Sequence, residues 1–289
     1  MATNETFLAR QEHPGQRFNL NGVLHDRLPE PLSQYARAYM YGDGIFESVR
    51  MFNNSVPLWK YHSARLMNGL GKLSVSLPPG TGPDELFGEI HKTASGNARI
   101  RLMVWRKTGG FYLPDYSEGL FMISAVPSPD ACFPVHETGM KVGLSTKIQV
   151  PVDSYSGIKS LSAIRYVYAA QEARERNLDD VLLLNSRNNV CESSNSSIIW
   201  ISDGQYFTPP EGEGQVHGVF LRFLRETLFK SGISVTEKPC TFASLLQADE
   251  ILLTNAVTGI RWIQQLDTTL KTGLHARMLA GMVNSQLSL

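Results

Sequence analysis

Residues 179–201 read DDVLLLNSRNNVCESSNSSIIWI, and this stretch decides the class of fold. The apolar run within 180–184 predicts a strand buried on both faces, and the turn-forming residues at 187–189 end it. The run SSIIWI at 196–201 predicts a second strand. The preceding stretch SLSAIRYVYAAQEARER, at 160–176, predicts a helix. A helix followed by apolar strands indicates a mixed α/β fold.

Outward from this stretch, similar patterns cover most of the chain. The apolar helix predicted at 217–231 ends at Gly232, because glycine readily adopts the left-handed conformation that terminates helices. Residues 44–52, the pair Asn53-Asn54 and residues 55–58 predict a β-hairpin. The other predicted helices cover 60–73 and 83–94, and the other predicted strands cover 98–106, 119–126, 140–145, 233–236 and 250–254.

A proline-rich segment, PSPDACFP at 127–134, separates the two halves of the chain. Its three prolines in eight residues, without periodicity, predict a linker. The length of 289 residues suits about two domains of roughly 150 residues each. We therefore expect a smaller N-terminal α/β domain over 1–126 and a larger C-terminal domain over 135–289. A cleft between two domains is the natural place for a functional site.

The composition excludes several classes of protein and partner. Lys and Arg number 27, and Asp and Glu number 27, so the formal net charge is zero, which disfavours non-specific nucleic-acid binding and a polybasic membrane anchor. Cys132, Cys191 and Cys240 have no C-x-x-C spacing, which supports neither a disulfide framework nor a metal site. Residues 1–15 do not resemble a signal peptide, and no run approaches the roughly 20 apolar residues of a membrane span. We expect a cytoplasmic protein that binds neither nucleic acid nor membrane.

Two side chains could have a catalytic or cofactor-binding role, and each could also be an ordinary surface residue. Lys159 follows Gly157-Ile158 at a loop–helix junction, where it is either a solvated surface charge or a desolvated amine that can bind a carbonyl carbon covalently. Glu192 lies in a short-chained polar stretch between the two apolar strands. It is either a surface turn residue or a carboxylate that pairs with a protonated ring nitrogen, as a pyridoxal cofactor requires.

Three further segments could bind an anion. Arg65, in HSARL at 62–66, is either an exposed helical arginine or a guanidinium that grips a phosphate. The glycine-rich residues 212–219 lead into a helix, and they form either an ordinary loop or a phosphate site at the helix N-terminus. Thr254-Asn255-Ala256 ends a predicted strand, either as a simple turn or as a group of phosphate donors.

Six segments, taken in order, resemble the class IV aminotransferases, which are the fold-type IV enzymes that use pyridoxal 5′-phosphate. The family includes branched-chain aminotransferases, D-amino-acid aminotransferases and 4-amino-4-deoxychorismate lyases. The similar segments are YGDGIFESVR (41–50), HSARL (62–66), GIKSLSAIRYVYAAQEAR (157–174), DDVLLLNSRNNVCESSNSSIIWI (179–201), HGVFLRFLRE (217–226) and LLQADEILLTNAVTGIRWI (245–263). Six segments in family order are far more specific than any single motif.

The resemblance implies a role for each candidate residue. Lys159 matches the lysine that carries the cofactor and moves the proton at the substrate α-carbon, and Glu192 matches the carboxylate that faces the pyridine nitrogen. Arg65 matches the phosphate-binding arginine. The other implied phosphate contacts are at a helix start and a strand end: Gly218, Val219, Phe220, Asn255 and Ala256. The family also implies a two-domain fold with the cofactor in the cleft, a small amino-acid-like substrate and a homodimer.

The sequence departs from the family pattern at several positions. The usual Gly-Ile-Thr-Arg at the helix start is GVFL at 218–221, so phosphate binding there must rely on backbone N–H groups. The tyrosine that branched-chain enzymes carry five residues after the lysine is Ile164 here. Asn255-Ala256 and the segment QADE at 247–250 are more similar to the lyases.

Arg106, followed by Gly109-Gly110, is also similar to the lyases, and it either contacts a substrate carboxylate or forms a structural salt bridge.

We therefore expect a 4-amino-4-deoxychorismate lyase, which releases pyruvate and gives 4-aminobenzoate for folate biosynthesis. One alternative is an aminotransferase on branched-chain or D-amino acids. Another is a family relative that has lost catalysis and has a binding role.

Overall fold

The computed structural model describes residues 17–26 and 35–288. The chain divides into two compact units, of which one comprises Met1–Ala131 with Ser160–Ser162 and the other comprises Cys132–Lys159 with Ala163–Leu289. The division after Ala131 falls within the segment 127–134. The expectation that residues 1–15 are not a signal peptide lies outside the described residues. Within the described ranges, no helix has the length and apolar character needed to cross a membrane.

The first unit is built on an antiparallel sheet whose strand order is β2-β1-β5-β4-β3. Its apolar residues alternate with exposed ones along the strands, and Ile100, Leu102 and Val104 are all buried. The strands are β1 (Arg17–Leu20), β2 (Val23–His25), β3 (Gly44–Met51), β4 (Ala98–Arg106) and β5 (Gly119–Pro127). The helices are α1 (Ala36–Tyr41), α2 (Trp59–Leu73) and α3 (Pro83–Thr93). The helices and strands predicted from residue 60 to residue 126 are therefore observed with nearly the predicted bounds.

The hairpin predicted at 44–58 is only half correct. Asn53 and Asn54 have φ values of 49° and 64°, as a tight turn requires. However, the return strand predicted at 55–58 is wrong, because pairing stops after a single bridge between Phe52 and Ser55. The chain turns into α2 instead, and the Trp59 N–H donates to the Val56 carbonyl at 3.1 Å.

The second unit contains a mixed sheet in the order β11-β10-β9-β12-β13-β6-β7-β8, with β14 paired to β13. Strand β6 is parallel to both β7 and β13, whereas β9 and β12 are antiparallel. The strands are β6 (Met140–Val150), β7 (Asp180–Asn185), β8 (Val190–Ser193), β9 (Ser197–Ser202), β10 (Gln205–Thr208), β11 (Val235–Glu237), β12 (Glu250–Asn255), β13 (Gly259–Leu266) and β14 (Thr269–Leu270). The helices are α4 (Ile164–Glu175), α5 (Val219–Lys230), α6 (Phe242–Gln247) and α7 (Leu274–Gln286).

Two predictions for this half need correction. The helix predicted at 160–176 begins only at Ile164, because Ser160 bridges to Ile45 and the Leu161 N–H donates to the Gly44 carbonyl at 2.9 Å. The polar stretch around Glu192 is not a surface turn but strand β8, which pairs with β7. Sequence periodicity could not reveal that the whole of β8 is buried, since Glu192 and Ser193 are polar.

Candidate functional site

Glu192 lies on β8 and is buried. The Tyr166 hydroxyl donates to its Oε1 at 2.8 Å, and the Val216 N–H donates to its Oε2 at 3.1 Å. Burial raises the pKa of Glu192 to about 7, although the two hydrogen bonds and the positive charge of Lys159 act in the opposite direction. A buried carboxylate with a raised pKa can either pair with a nearby cation or hold a proton.

Lys159 is partly buried. Two residues before it, Gly157 adopts a backbone conformation that favours glycine. Gly157 has a φ of +86°, and a Cβ there would lie 2.7 Å from Nε2 of the His217 ring. The close approach of Gly157 to His217 joins the segment before Lys159 to the start of α5. In the second unit the charge of Lys159 also acts on Glu192 and lowers its pKa, so the predicted lysine and carboxylate lie within electrostatic range of each other.

A polar network holds the loop that supplies the Val216 N–H. Glu213, which is mostly buried, accepts hydrogen bonds from Asn185, from Asn189 at 3.1 Å and from Arg187 at 3.0 Å. The Asn185 amide also donates to the Glu213 carbonyl at 2.9 Å. These contacts fasten the glycine-rich loop to the turn between β7 and β8, and thereby position the donor for Glu192.

The start of α5 is a group of backbone donors. Gly218 precedes the helix, and in the described part of the chain no side chain caps it. The first helical bond runs from the Arg222 N–H to the Gly218 carbonyl at 3.0 Å, so the N–H groups of 219–221 point out of the helix end. Together with the helix dipole, these groups favour an anion such as a phosphate.

Asn255 organises the turn that follows β12. Its Oδ1 accepts from the N–H groups of Val257 and Thr258 at 2.9 and 2.8 Å, and its Nδ2 donates to Ser196 Oγ at 3.0 Å. The same Nδ2 lies 3.3 Å from Asn195 Oδ1. The side-chain amide is therefore engaged within the protein, which leaves the main chain around Ala256 as the part of this turn that can face a ligand.

Arg65 lies in the first unit, where it forms a buried ion pair. Its Nε donates to Glu47 Oε1 at 2.8 Å and its Nη2 donates to Glu47 Oε2, while His62 Nδ1 lies 2.7 Å from the same Oε2. Burial of Glu47 acts to raise its pKa, but the charge and hydrogen bonds of Arg65 and His62 hold this pKa at about 2. Glu47 therefore fixes one edge of the guanidinium by a two-point contact.

We expect Glu47→Gln to destabilise the protein by about 3 kcal/mol at pH 7, because it leaves a largely buried guanidinium without its counter-charge. The measurement is urea unfolding followed by fluorescence. Wild type should lose this stabilisation as the pH falls from the ordinary value of 4.5 towards 2, since protonation of Glu47 breaks the pair. The control is Glu118→Gln, which removes an exposed pair with Lys107 and should cost less than about 1 kcal/mol. Equal costs for the two variants would contradict the prediction.

Arg106 is surrounded by acceptors of its own unit. Its Nε donates to Asp43 Oδ2 at 3.0 Å, and its Nη1 donates to the carbonyls of Ser74 and Tyr116 at 3.0 and 3.2 Å. Its Nη2 donates to the Leu73 carbonyl at 2.6 Å. This geometry favours the structural salt bridge over contact with a substrate carboxylate.

Sequence reasoning missed Tyr166 as a partner of Glu192. The side chain lies on the face of α4 that packs with Ala169 and Ala173 against a core cluster containing Cys191, the neighbour of Glu192. The spacing of three and seven residues along the helix was a usable signal for this shared face. The hydroxyl partner itself could be identified only in the folded chain.

Comparisons with known proteins agree with this description. Residues 44–266 match the family described as amino-transferase class IV. A putative branched-chain-amino-acid aminotransferase from Methanocaldococcus jannaschii is 28% identical over 256 residues, which cover 86% of this chain and 87% of that protein. An aminodeoxychorismate lyase from Vibrio harveyi is 29% identical over 232 residues, which cover 78% of this chain and 83% of that protein.

The solved structures show the same fold. An aminotransferase from Brucella abortus bound to pyridoxal 5′-phosphate superposes with a TM-score of 0.82, covering 95% of this chain and 99% of that chain at 18% identity. The prediction of a mixed α/β, fold-type IV enzyme is thus confirmed. The chain belongs to the class IV aminotransferase family, whose enzymes depend on pyridoxal 5′-phosphate.

Proposed function

We propose that this protein is a pyridoxal-phosphate enzyme that releases pyruvate from 4-amino-4-deoxychorismate and leaves 4-aminobenzoate. The observation that carries the cofactor assignment is Glu192, buried with two hydrogen-bond donors and close to the charge of Lys159. We expect the active form to be a homodimer in the cytoplasm, acting on a small amino-acid-like substrate.

The residues present fit the cofactor chemically. A carboxylate such as Glu192 is the partner that a protonated pyridine nitrogen needs, and its burial strengthens that pairing. The backbone N–H groups at the start of α5 suit the phosphate, and we propose that the main chain at Ala256 adds a contact. In this proposal the positive charge of Arg65, whose guanidinium is oriented by Glu47, also favours the phosphate.

Each residue then has a defined task. Pyridoxal 5′-phosphate supplies, when bound, a ring that stabilises negative charge developing next to the substrate nitrogen. Nζ of Lys159 takes the proton from the substrate α-carbon and later returns a proton to the reacting molecule. Glu192 keeps a proton at the ring nitrogen. The helix start and Arg65 hold the phosphate so that the reacting atoms stay aligned.

The choice of a lyase rests on residues outside the catalytic pair. The Asn255-Ala256 turn and the segment at 247–250 are similar to the lyases in sequence. Ile164, at the first position of α4, is 59% exposed and offers no hydroxyl where branched-chain enzymes carry a tyrosine. The lyase reaction is balanced without a second substrate, because breaking the ring carbon–oxygen bond of one 4-amino-4-deoxychorismate gives one pyruvate and one 4-aminobenzoate.

The discriminating experiment supplies 4-amino-4-deoxychorismate to the purified holoenzyme without any keto acid. We expect stoichiometric release of pyruvate and 4-aminobenzoate, measured by a coupled lactate dehydrogenase assay and by fluorescence. Turnover that requires both an amino donor and a keto acceptor would instead establish an aminotransferase. Tight cofactor binding without either reaction would favour a non-catalytic binding role.

An aminotransferase on branched-chain or D-amino acids is the second candidate. It is favoured by the match to the Methanocaldococcus jannaschii protein over 86% of this chain. Lys159 and Glu192 would perform the same first proton transfer in both reactions, so these two residues do not separate the candidates. A keto acid would then accept the amino group in the second half of the reaction.

A further inference from the structure

The first turn of α5 lacks side-chain hydrogen-bond donors. Val219, Phe220 and Leu221 are apolar, so this helix end offers an anion only its backbone N–H groups. A phosphate has more oxygen lone pairs than these groups can satisfy. Neighbouring elements must supply further donors if the anion is to be held firmly.

Ser197, the first residue of β9, brings a hydroxyl to this helix end. A Cβ added at Gly218 would collide with Ser197 Oγ and lie 3.2 Å from Ser197 Cβ. The absence of a side chain at Gly218 is what allows the hydroxyl to reach the cap. Ser197 itself is 6% exposed, so its hydroxyl is largely shielded from water.

Thr254 lies directly opposite Ser197 in the antiparallel pairing of β12 with β9. Residues that are directly opposite in such a ladder place their side chains on the same face, with Cβ atoms about 5 Å apart. The next pair along, Leu253 and Ile198, points to the other face and belongs to the apolar core cluster. The register therefore directs Thr254 towards the side that carries Ser197 and the start of α5.

The Thr254 hydroxyl is an unsatisfied group. The residue is only 1% exposed, and Oγ1 has no hydrogen-bond partner among the described residues. A buried hydroxyl without a partner is destabilising, and such groups in native proteins point to a missing ligand or a functional role. Because it lies opposite Ser197, which reaches Gly218, this hydroxyl is a candidate donor for an anion at the helix end.

We propose that the hydroxyls of Ser197 and Thr254 donate to the phosphate of the cofactor and complete the donor set at the start of α5. This inference rests on the proposed use of pyridoxal 5′-phosphate. Two strand residues would thus supply the side-chain hydrogen bonds that the apolar first turn of α5 cannot supply.

The test compares two ligands that differ only in the phosphate. Cofactor-free full-length protein is titrated with pyridoxal 5′-phosphate and with pyridoxal, and binding is followed by absorbance. We expect Ser197→Ala and Thr254→Val each to weaken binding of the phosphorylated ligand about tenfold, since each removes a hydrogen bond to a charged group. Binding of pyridoxal should remain unchanged, and Thr254→Ser should keep the wild-type affinity.

Thr227→Val is the matched control, because Thr227 is also a buried threonine but lies about 12 Å along α5 from its start. It should leave the ratio of the two affinities unchanged. Wild-type ratios in both Ser197→Ala and Thr254→Val would overturn the inference. If Thr254→Val does not fold, the ratio in Ser197→Ala decides alone. Failure of wild type to bind either ligand would instead refute the proposed cofactor.

Discussion

Lys159→Ala is expected to lower kcat by about 10⁴-fold, because it removes both the covalent attachment of the cofactor and the base that acts at the α-carbon. The purified variant should also lose the visible absorbance of the bound cofactor. The measurements are single-substrate kinetics and the absorbance spectrum of protein that has been incubated with pyridoxal 5′-phosphate and then freed of unbound cofactor.

Two further variants separate the amine from its charge. Lys159→Arg keeps a positive charge near Glu192 but should be as inactive as Lys159→Ala. Lys147→Ala removes a lysine of the same unit whose side chain is 53% exposed and pairs with Glu175. This control should keep normal colour and activity. Full turnover in Lys159→Ala would exclude Lys159 as the catalytic residue.

Glu192→Gln is expected to lower kcat by about 10²- to 10³-fold, because a neutral amide cannot hold a proton on the ring nitrogen. The loss should appear in kcat more than in KM, since the phosphate contacts are unchanged. Tyr166→Phe keeps the carboxylate and removes one of its donors. It should therefore have a much smaller effect on kcat than Glu192→Gln.

The raised pKa of Glu192 predicts how the stability of the cofactor-free protein depends on pH. The pKa of Glu192 is raised from 4.5 to about 7 in the folded protein, so the folded state binds an additional proton between these values. Stability should consequently fall as the pH rises through this window, by up to about 3 kcal/mol. Urea unfolding at pH 5, 6, 7 and 8 measures this slope.

Glu192→Gln should lack that contribution to the slope. In Tyr166→Phe the fall in stability should extend to higher pH, because the lost hydrogen bond favoured the ionised carboxylate and its loss raises the pKa of Glu192 further. Bound cofactor should reduce it, since a positive ring nitrogen stabilises the carboxylate. An identical slope in wild type and Glu192→Gln would mean that other groups determine the pH dependence.

Most strands and helices could be predicted because their apolar residues recur with a clear period. The helix predicted at 217–231 and the strand predicted at 98–106 appear with nearly the expected bounds. Predictions failed where a long-range contact overrides the local pattern. Residues 160–162 look helical in sequence, but Ser160 pairs with β3 across more than a hundred residues of chain.

The candidate site divides in the same way. Lys159, Glu192 and Arg65 could be proposed as site residues from the sequence, because their residue types and order in the chain resemble those of a family. Their partners could not be predicted in the same way. Glu47 for Arg65, Tyr166 for Glu192 and Asp43 for Arg106 are side chains that no spacing rule selects.

The sequence by itself determined the mixed α/β class, the family and the candidate catalytic pair, since these depend on local periodicity and on residue identity in order. Only the tertiary structure decided that Glu192 is buried on a strand, which raises its pKa, and that Arg106 is held by acceptors of its own unit. It also decided that Thr254 faces the same side as Ser197. The physical reason is that burial and strand register arise from packing between distant segments, and neither is encoded in the spacing of residues along one segment.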